Sequence, residues 1–300
     1  MKIKASASRK VFLVCNFIFL AITGLVCILP FINLLAISLS SKLAVATGQV
    51  TFWPVEFSLS SYSFIITRNT AFVRAFLVSI HRLVLGVSVN IILIVLVAYP
   101  LSNERKDFRG RTVISWFFVI TILFNGGLIP SYMVVRYTGL LDQIWALILP
   151  GAIPVFSMLV VMNYIRSLPS ELKEAAYIDG ASHMQTLLRI ILPVSKPTLA
   201  TVGLFAIVGH WNAWFDGLLY MNDVSHYPLQ SYLRTVVINP EDFFRNSINI
   251  SDDLSQFIEL VNARTMQAAQ LFLATIPVLV AYPFLQKYFT TGLVMGSVKG

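Results

Sequence analysis

Residues 170–193 read SELKEAAYIDGASHMQTLLRIILP, a polar stretch inside an otherwise apolar chain. Its residue types predict a helix, a sharp turn and a second helix. Ser170 can cap the first helix, and Gly180 can take the left-handed conformation that closes it. Ser182 and Gln185 have the three-residue spacing of a capping box, which marks the start of a helix. We therefore expect a helix–turn–helix loop here, with the proline at its end stopping the second helix.

Long apolar stretches flank this loop on both sides and recur along the chain. Of 300 residues, 57% are hydrophobic and 12% are charged, against about 45–50% and about 25% in soluble domains. A helix needs about 20 mainly apolar residues to cross a bilayer. The sequence therefore predicts an all-α integral membrane protein with six transmembrane helices, forming a single domain over residues 1–300. The predicted spans are residues 11–40, 72–101, 113–135, 141–165, 197–221 and 267–289.

The positions of the basic residues predict the orientation in the membrane. Basic side chains precede the first span and crowd the loop after the second, as the positive-inside rule expects of cytoplasmic segments. These residues are Lys2, Lys4, Arg9, Lys10, Arg105, Lys106, Arg109 and Arg111. Both termini are then cytoplasmic, residues 166–196 form a cytoplasmic loop, and residues 222–266 form a long outer loop. The net charge of +8 fits this topology, and we expect no nucleic-acid partner.

Two of the predicted spans contain helix-breaking residues. These are Gly126, Gly127 and Pro130 in the third span, and Pro150, Gly151 and Pro154 in the fourth. Proline removes an amide donor, and a bilayer tolerates this only where neighbouring helices or a water-filled cavity satisfy the freed carbonyls. The breaks indicate either a pathway through the protein or simple bends for packing.

The first helix of the loop has features of a docking surface. The small residues Ala175 and Ala176 let a partner approach closely, and Glu174 and Asp179 offer charge to a basic partner. An ordinary amphipathic surface loop would also explain them. Neither this loop nor the histidines and cysteines of the chain show the spacing of a metal site.

The same residues carry a specific resemblance. Glu174-Ala-Ala, three residues, Gly180, nine residues, Ile190, one residue and Leu192-Pro193 match the EAA signature of ABC importer permeases at every defined position. The resemblance implies that Glu174, Ala175, Ala176, Asp179 and Gly180 couple the chain to a separate ATPase. The sequence has no Gly-x-x-x-x-Gly-Lys-Ser/Thr phosphate loop. We therefore expect no enzyme activity and no cofactor in this chain, with ATP and Mg²⁺ held by the partner ATPase.

Further segments resemble the sugar-importing branch related to the maltose permease. They are Ala98–Ser102, Phe108–Arg111, Phe124–Tyr132, Trp211–Phe215 and Gly292–Gly300. Two of these, around Asn125 and Trp211, are similar to permeases for complex or acidic oligosaccharides such as alginate or pectin fragments. The resemblance implies an alternating-access importer in a bacterial cytoplasmic membrane. Its expected partners are a second, homologous permease, two ATPase subunits and an extracytoplasmic solute-binding protein.

Polar and aromatic residues in the spans are candidates for the substrate pathway. Aromatic rings stack on the apolar faces of sugars, and amides or carboxylates bind their hydroxyls. The candidates are Asn125, Tyr132, Trp211, Asn212, Trp214 and Asp216. An interfacial aromatic belt would equally explain Trp214.

Arg82 is the cation placed well inside a predicted span, where contact with lipid would be costly. It is expected either to form a structural pair with a carboxylate or carbonyls, or to attract an anionic sugar. The second reading places it among the pathway candidates.

Other functional classes remain open at this level. An ion-coupled secondary sugar carrier would usually need acidic residues inside the membrane, and of the 14 acidic residues only Asp142 and Asp216 lie in predicted spans, each near a span end. A membrane-bound glycan enzyme would need paired carboxylates, whereas Asp252 and Asp253 are adjacent and tend to point apart. An ABC permease for another solute is the remaining alternative.

Overall fold

The computed structural model describes residues 7–104, 108–238 and 263–292, with side chains described up to residue 280 in the last range. All regular elements in these ranges are helical. The α-helices are α1 (Ala7–Ser38), α2 (Lys42–Ala46), α3 (Ser60–Thr67), α4 (Thr70–Ser102), α5 (Arg111–Leu123), α6 (Leu128–Tyr137), α7 (Val155–Ser167), α8 (Glu171–Ile178), α9 (His183–Thr186), α10 (Leu192–Val194), α11 (Lys196–Asn212), α12 (Phe215–Tyr220), α13 (Leu229–Ile238) and α14 (Ala263–Gly292). Short 3₁₀ turns span Ile144–Leu147, Leu149–Gly151 and Val224–His226, and a π-helical turn spans Leu187–Ile191.

The expected count of six spans is not confirmed. Within the described ranges, three helices are long and apolar enough to cross a bilayer, and up to five spans result if each bent helix pair counts as one. The third predicted span divides into α5 and α6 at Phe124, which is extended, and Gly127, which has a φ of 85°. With 13 residues at 1.5 Å each, α5 is about 20 Å long, short of the ~30 Å hydrocarbon core.

Proline explains the break in the fourth predicted span. Pro150 lies in the first turn of a 3₁₀ helix, and Pro154 precedes α7 as its N-cap. The segments Ile144–Gly151 and Val155–Ser167 meet at 50°. The fifth predicted span also breaks, between α11 and α12, where Ala213 is extended. Neither glycine nor proline stands at that position, so no local sequence signal marks this break.

The described residues divide into two compact units. In the first, which contains residues up to 73 and residues 235–276, α1 and α3 are joined by a hydrogen bond between Ser38 Oγ and Tyr62 Oη of 2.7 Å. The buried Ser61 donates to Thr265 Oγ1 over 3.1 Å in the same unit.

The second unit contains residues 74–234 and the chain after residue 276. Its main core is built by α4, α7, the π-helical turn and α11. The buried side chains are Ile94, Val95, Ala98, Tyr99, Leu101, Met158, Val161, Met162, Ile165, Leu187, Ile191 and Val202. A smaller cluster around Leu147 and Tyr220 packs at the breaks in the fourth and fifth predicted spans. Residues 239–262, most of the expected outer loop, lie outside the described residues.

Candidate functional site

The loop that carries the EAA signature folds as a helix, a turn and a second helix. Gly180 follows α8 with a φ of 79°, in the left-handed region that favours glycine. Ser182 accepts from the amide of Gln185, and the Gln185 side chain accepts from the amide of Ser182, so the capping box is present. The expected cap by Ser170 is wrong: its backbone is already helical, and its side chain makes no capping hydrogen bond.

The second helix of the loop ends one residue later than expected. Pro193 lies inside α10, and the chain turns by 81° between residues 183–194 and α11. A π-helical turn, Leu187–Ile191, precedes this bend. Such turns are rare in proteins, and those that occur often lie at functional sites.

The end of α8 presents an exposed surface. Glu174, Ala175, Asp179 and Gly180 are exposed, whereas Ala176 is buried. Ile178 leaves 86% of its surface exposed. The helix therefore offers one apolar side chain between two carboxylates, which suits a partner surface that is apolar and basic.

Polar contacts tie α8 to the end of α4. The Tyr177 hydroxyl lies 3.3 Å from the Tyr99 hydroxyl and 2.9 Å from His183 Nδ1. Lys173 Nζ donates to Asn103 Oδ1 over 3.0 Å and lies 5.6 Å from the centroid of the Tyr99 ring. A displacement of α8 would therefore pull directly on α4.

An open cavity of about 340 Å³ lies beside these contacts. It is lined by Leu96, Tyr99, Pro100, Asn103, Phe108, His183, Met184 and Leu187. Tyr177 of α8 bridges α4 and α9 beside this cavity through Tyr99 and His183, and the incompletely filled space leaves room for these elements to shift.

A second polar cluster lies at the helix breaks. Arg82 on α4 is 3% exposed and forms an ion pair with Asp216 on α12, with one N–O distance of 3.1 Å. It also donates to the carbonyls of Leu147 and Ala213 over 3.3 and 3.4 Å. Both carbonyls lie where a helix stops, so Arg82 satisfies acceptors that the breaks would otherwise leave unpaired.

Asn90, two turns further along α4, satisfies carbonyls that are freed at the break in the fourth predicted span. Its side-chain amide donates to the carbonyls of Gly151 and Ala152 over 3.1 and 2.9 Å. Its oxygen lies 2.9 Å from His210 Nε2 on α11. A Cβ on Gly86, midway between Arg82 and Asn90, would lie only 2.5 Å from that nitrogen. The face of α4 formed by residues 82, 86 and 90 therefore holds both broken helices in place.

The structure brings some pathway candidates together and separates others. Arg82 and Asp216 pair with each other, and Tyr132 stacks on Tyr220 at 6.4 Å between centroids. Trp211 is 3% exposed and packs edge-on against Phe76, which makes it a core residue.

Asn212 and Trp214 are exposed at the break between α11 and α12, and the exposed Asn125 accepts from the amide of Gly127 in its own turn. Asn90 was not predicted from the sequence. It lies eight residues, or about two helical turns, after Arg82, so the two polar side chains share one face of an apolar helix, and this spacing could have identified it.

A further hydrogen-bonded link joins two connecting segments. Asp142, with a φ of 61°, accepts from the amides of Asn222 and Asp223 over 3.0 and 3.3 Å and lies 3.0 Å from His226 Nδ1.

Comparison with known proteins agrees with this arrangement. The family described as binding-protein-dependent transport system inner membrane component matches residues 82–294. Protein LplC of Bacillus subtilis is 39% identical, covering 97% of this chain and 96% of the relative. The polygalacturonan/rhamnogalacturonan transport system permease protein YtcP of the same organism is also 39% identical, covering 94% of this chain and 96% of the relative.

A solved structure shows the same fold. It is a bacterial ABC transporter involved in the import of the acidic polysaccharide alginate, with a TM-score of 0.86 and 30% identity, covering 96% of this chain and 100% of the matched chain. The match confirms the resemblance carried by the EAA signature and the sugar-branch segments. Since the family model and two relatives cover most of its length, this chain belongs to the family of inner membrane components of binding-protein-dependent transport systems.

Proposed function

We propose that the chain is one of two permease subunits of an ATP-driven importer for acidic oligosaccharides. The observation that carries the proposal is α8, whose exposed end bears the EAA signature and whose other side is tied to α4 through Tyr177 and Lys173. This arrangement suits a lever between a partner ATPase and the membrane domain. The relatives are permease proteins, not enzymes, which agrees with an ATPase on a separate chain.

The proposed mechanism runs along α4. Its 33 residues would span about 50 Å at 1.5 Å each. One end contacts α8, and a more distant part carries Arg82 and Asn90, which hold the breaks of two other spans. Closure of the ATPases would push α8, and α4 would transmit the movement to the broken helices, opening the cavity alternately to the two sides.

The comparisons support an acidic cargo. One 39% identical relative carries polygalacturonan or rhamnogalacturonan in its name, and the 30% identical structure imports alginate. Both kinds of polymer contain uronic acids, whose carboxylates are ionised at neutral pH. We propose the same class of cargo here, delivered by a solute-binding protein as the family description implies.

The proposal keeps the topology expected from the sequence, with six spans in a bacterial cytoplasmic membrane and both termini cytoplasmic. An ion-coupled carrier is less well supported, because Asp216 is neutralised by Arg82 instead of being available for a coupling ion.

Purification of an affinity-tagged chain from its host membrane tests the assembly. We expect it to bring down a second, distinct permease and two copies of an ATPase, and to show ATPase activity that the tagged chain lacks after the other subunits are removed. Ile178→Asp, which places a third negative charge at the exposed end of α8, should reduce recovery of the ATPase but not of the second permease. A chain that purifies alone and transports without ATP would exclude this function.

A further inference from the structure

The proposed cargo is anionic, but the buried cation of the second unit cannot meet it. Arg82 is 3% exposed, and its two terminal nitrogens bond Asp216 and two carbonyls. Recognition of an acidic sugar in this subunit therefore requires another cationic side chain, one that is exposed.

Arg234 meets this requirement. It lies on α13, is exposed, and its Cζ is 5.2 Å from the centroid of the Trp214 ring. Trp214 itself keeps 40% of its surface exposed. No carboxylate among the residues that the structure describes forms an ion pair with Arg234. The Trp214 ring therefore contacts the guanidinium, and among the described residues no carboxylate competes for its N–H groups.

The backbone beneath the pair is rigidly held. Ser231, one turn before Arg234, donates to the Trp214 carbonyl over 2.7 Å. The close approach depends on Gly217, because a Cβ there would lie 2.1 Å from Ser231 Oγ. The start of α13 is fixed by the Leu229 amide, which donates to Ser79 on α4 over 2.7 Å. Both halves of the pair are therefore positioned by the folded chain before any ligand arrives.

The surrounding charges favour an anion. Asp216, two residues after Trp214, has its negative charge balanced by Arg82. The exposed Asn212 ends α11 two residues before Trp214 and adds amide donor and acceptor groups at the same break. A guanidinium, an exposed indole ring and an amide are the groups that would bind, respectively, a carboxylate, the apolar face of a sugar ring and a hydroxyl.

We propose that Arg234 and Trp214 form a subsite for one uronate unit of the cargo, with Arg234 binding the carboxylate. The proposal rests on the acidic cargo of the proposed function and assigns its recognition to α13 and the break after α11, not to Arg82. A charge-assisted hydrogen bond contributes enough to change affinity about ten-fold, or about 1.4 kcal/mol. Loss of Arg234 should therefore weaken the response to a uronate and spare the response to its neutral counterpart.

The test uses the complete transporter, with its binding protein, in liposomes of zwitterionic lipid. Two probes are compared: trigalacturonate and the same trisaccharide with its carboxyl groups reduced to alcohols. For wild type and Arg234→Gln, the concentration giving half-maximal stimulation of ATP hydrolysis is measured with each. Arg136→Gln is the matched control, because Arg136 is an exposed arginine of the same unit with no ring or carboxylate contact among the described residues.

We expect Arg234→Gln to raise the half-maximal concentration of trigalacturonate about ten-fold and that of the reduced trisaccharide less than two-fold, with Arg136→Gln changing neither. Arg234→Lys should recover part of the loss. Added salt should weaken the wild-type response to trigalacturonate more than the mutant response, since exposed charges are screened.

Equal effects on both probes would overturn the subsite, because loss of Arg234 would then act through the fold and not through the carboxylate. An unchanged response to trigalacturonate in Arg234→Gln would also overturn it, while leaving the acidic cargo intact. A wild-type transporter stimulated only by the reduced trisaccharide would refute the acidic cargo itself and the subsite with it.

Discussion

Single residues decide how this membrane domain tolerates its broken helices. A break in a bilayer frees carbonyls that water cannot reach, and each costs several kcal/mol if unpaired. Arg82 and Asn90 take up four of these carbonyls, at Leu147, Ala213, Gly151 and Ala152. The sequence predicted that Arg82 must avoid lipid and left two explanations open. The structure shows a pair with Asp216, a contact between residues 134 positions apart that no local pattern reveals.

The ion pair predicts an asymmetry between single and double substitutions. Asp216→Leu leaves the Arg82 charge buried without its partner and should lower the free energy of unfolding by about 3 kcal/mol, the lower end for a buried pair. Arg82→Met combined with Asp216→Leu removes both charges and should recover part of that loss. Thermal unfolding of the purified complex measures both. If the loss of unfolding free energy in the double variant equals the sum of the losses in the two single variants, the pair itself contributes little.

Gly86 gives a sharper prediction because the chain supplies a matched control. Gly86→Ala places a Cβ 2.5 Å from His210 Nε2 and should displace the His210–Asn90 contact. Overpacking of this kind costs about 1–3 kcal/mol. Gly209→Ala, on α11 with open space around its Cβ, should be neutral or stabilise the helix by about 0.5–1 kcal/mol. Equal stability of the two variants in thermal unfolding would show that α4 and α11 are not packed this closely.

At the scale of elements, the sequence predicted most helices and some of their ends. The breaks near Gly127 and Pro154 and the turn at Gly180 follow from residue types whose backbone preferences are strong. The break between α11 and α12 was missed because long-range contacts make it: Arg82 and Ser231 take the carbonyls of Ala213 and Trp214. The Ser170 cap was also predicted wrongly, because the backbone turns helical one residue early there.

Substitutions at the turn after α8 distinguish the effect of backbone conformation from the effect of side-chain size. Gly180 has a φ of 79°, and a Cβ there would meet nothing within 4 Å. Gly180→Val should therefore be strained by conformation alone, whereas Gly180→Asn should be tolerated, since asparagine adopts the left-handed region far more readily. We expect Gly180→Val to lower substrate-stimulated uptake at a preserved protein level, and Gly180→Asn to keep it. Normal uptake with valine would show that the α8 turn does not transmit ATPase motion.

At the scale of the whole molecule, composition and the EAA signature were sufficient for the class of protein, and the family match confirms it. The number of spans was not fixed by hydropathy, because a broken helix has the same composition as a continuous one. The contacts of the candidate site were likewise not recoverable from sequence alone. The exposed end of α8, the ties to α4 and the Arg234–Trp214 pair depend on which side chains folding leaves at the surface.

ATP-driven uptake in sealed vesicles measures whether this chain works as a subunit of an ATP-driven importer. The tagged chain, its second permease, the ATPase and the binding protein are reconstituted, and accumulation of labelled trigalacturonate is followed with and without ATP. We expect accumulation that requires ATP, the binding protein and every subunit, and that is lost with Gly180→Val. Accumulation by this chain alone, driven by a proton or sodium gradient without ATP, would contradict it.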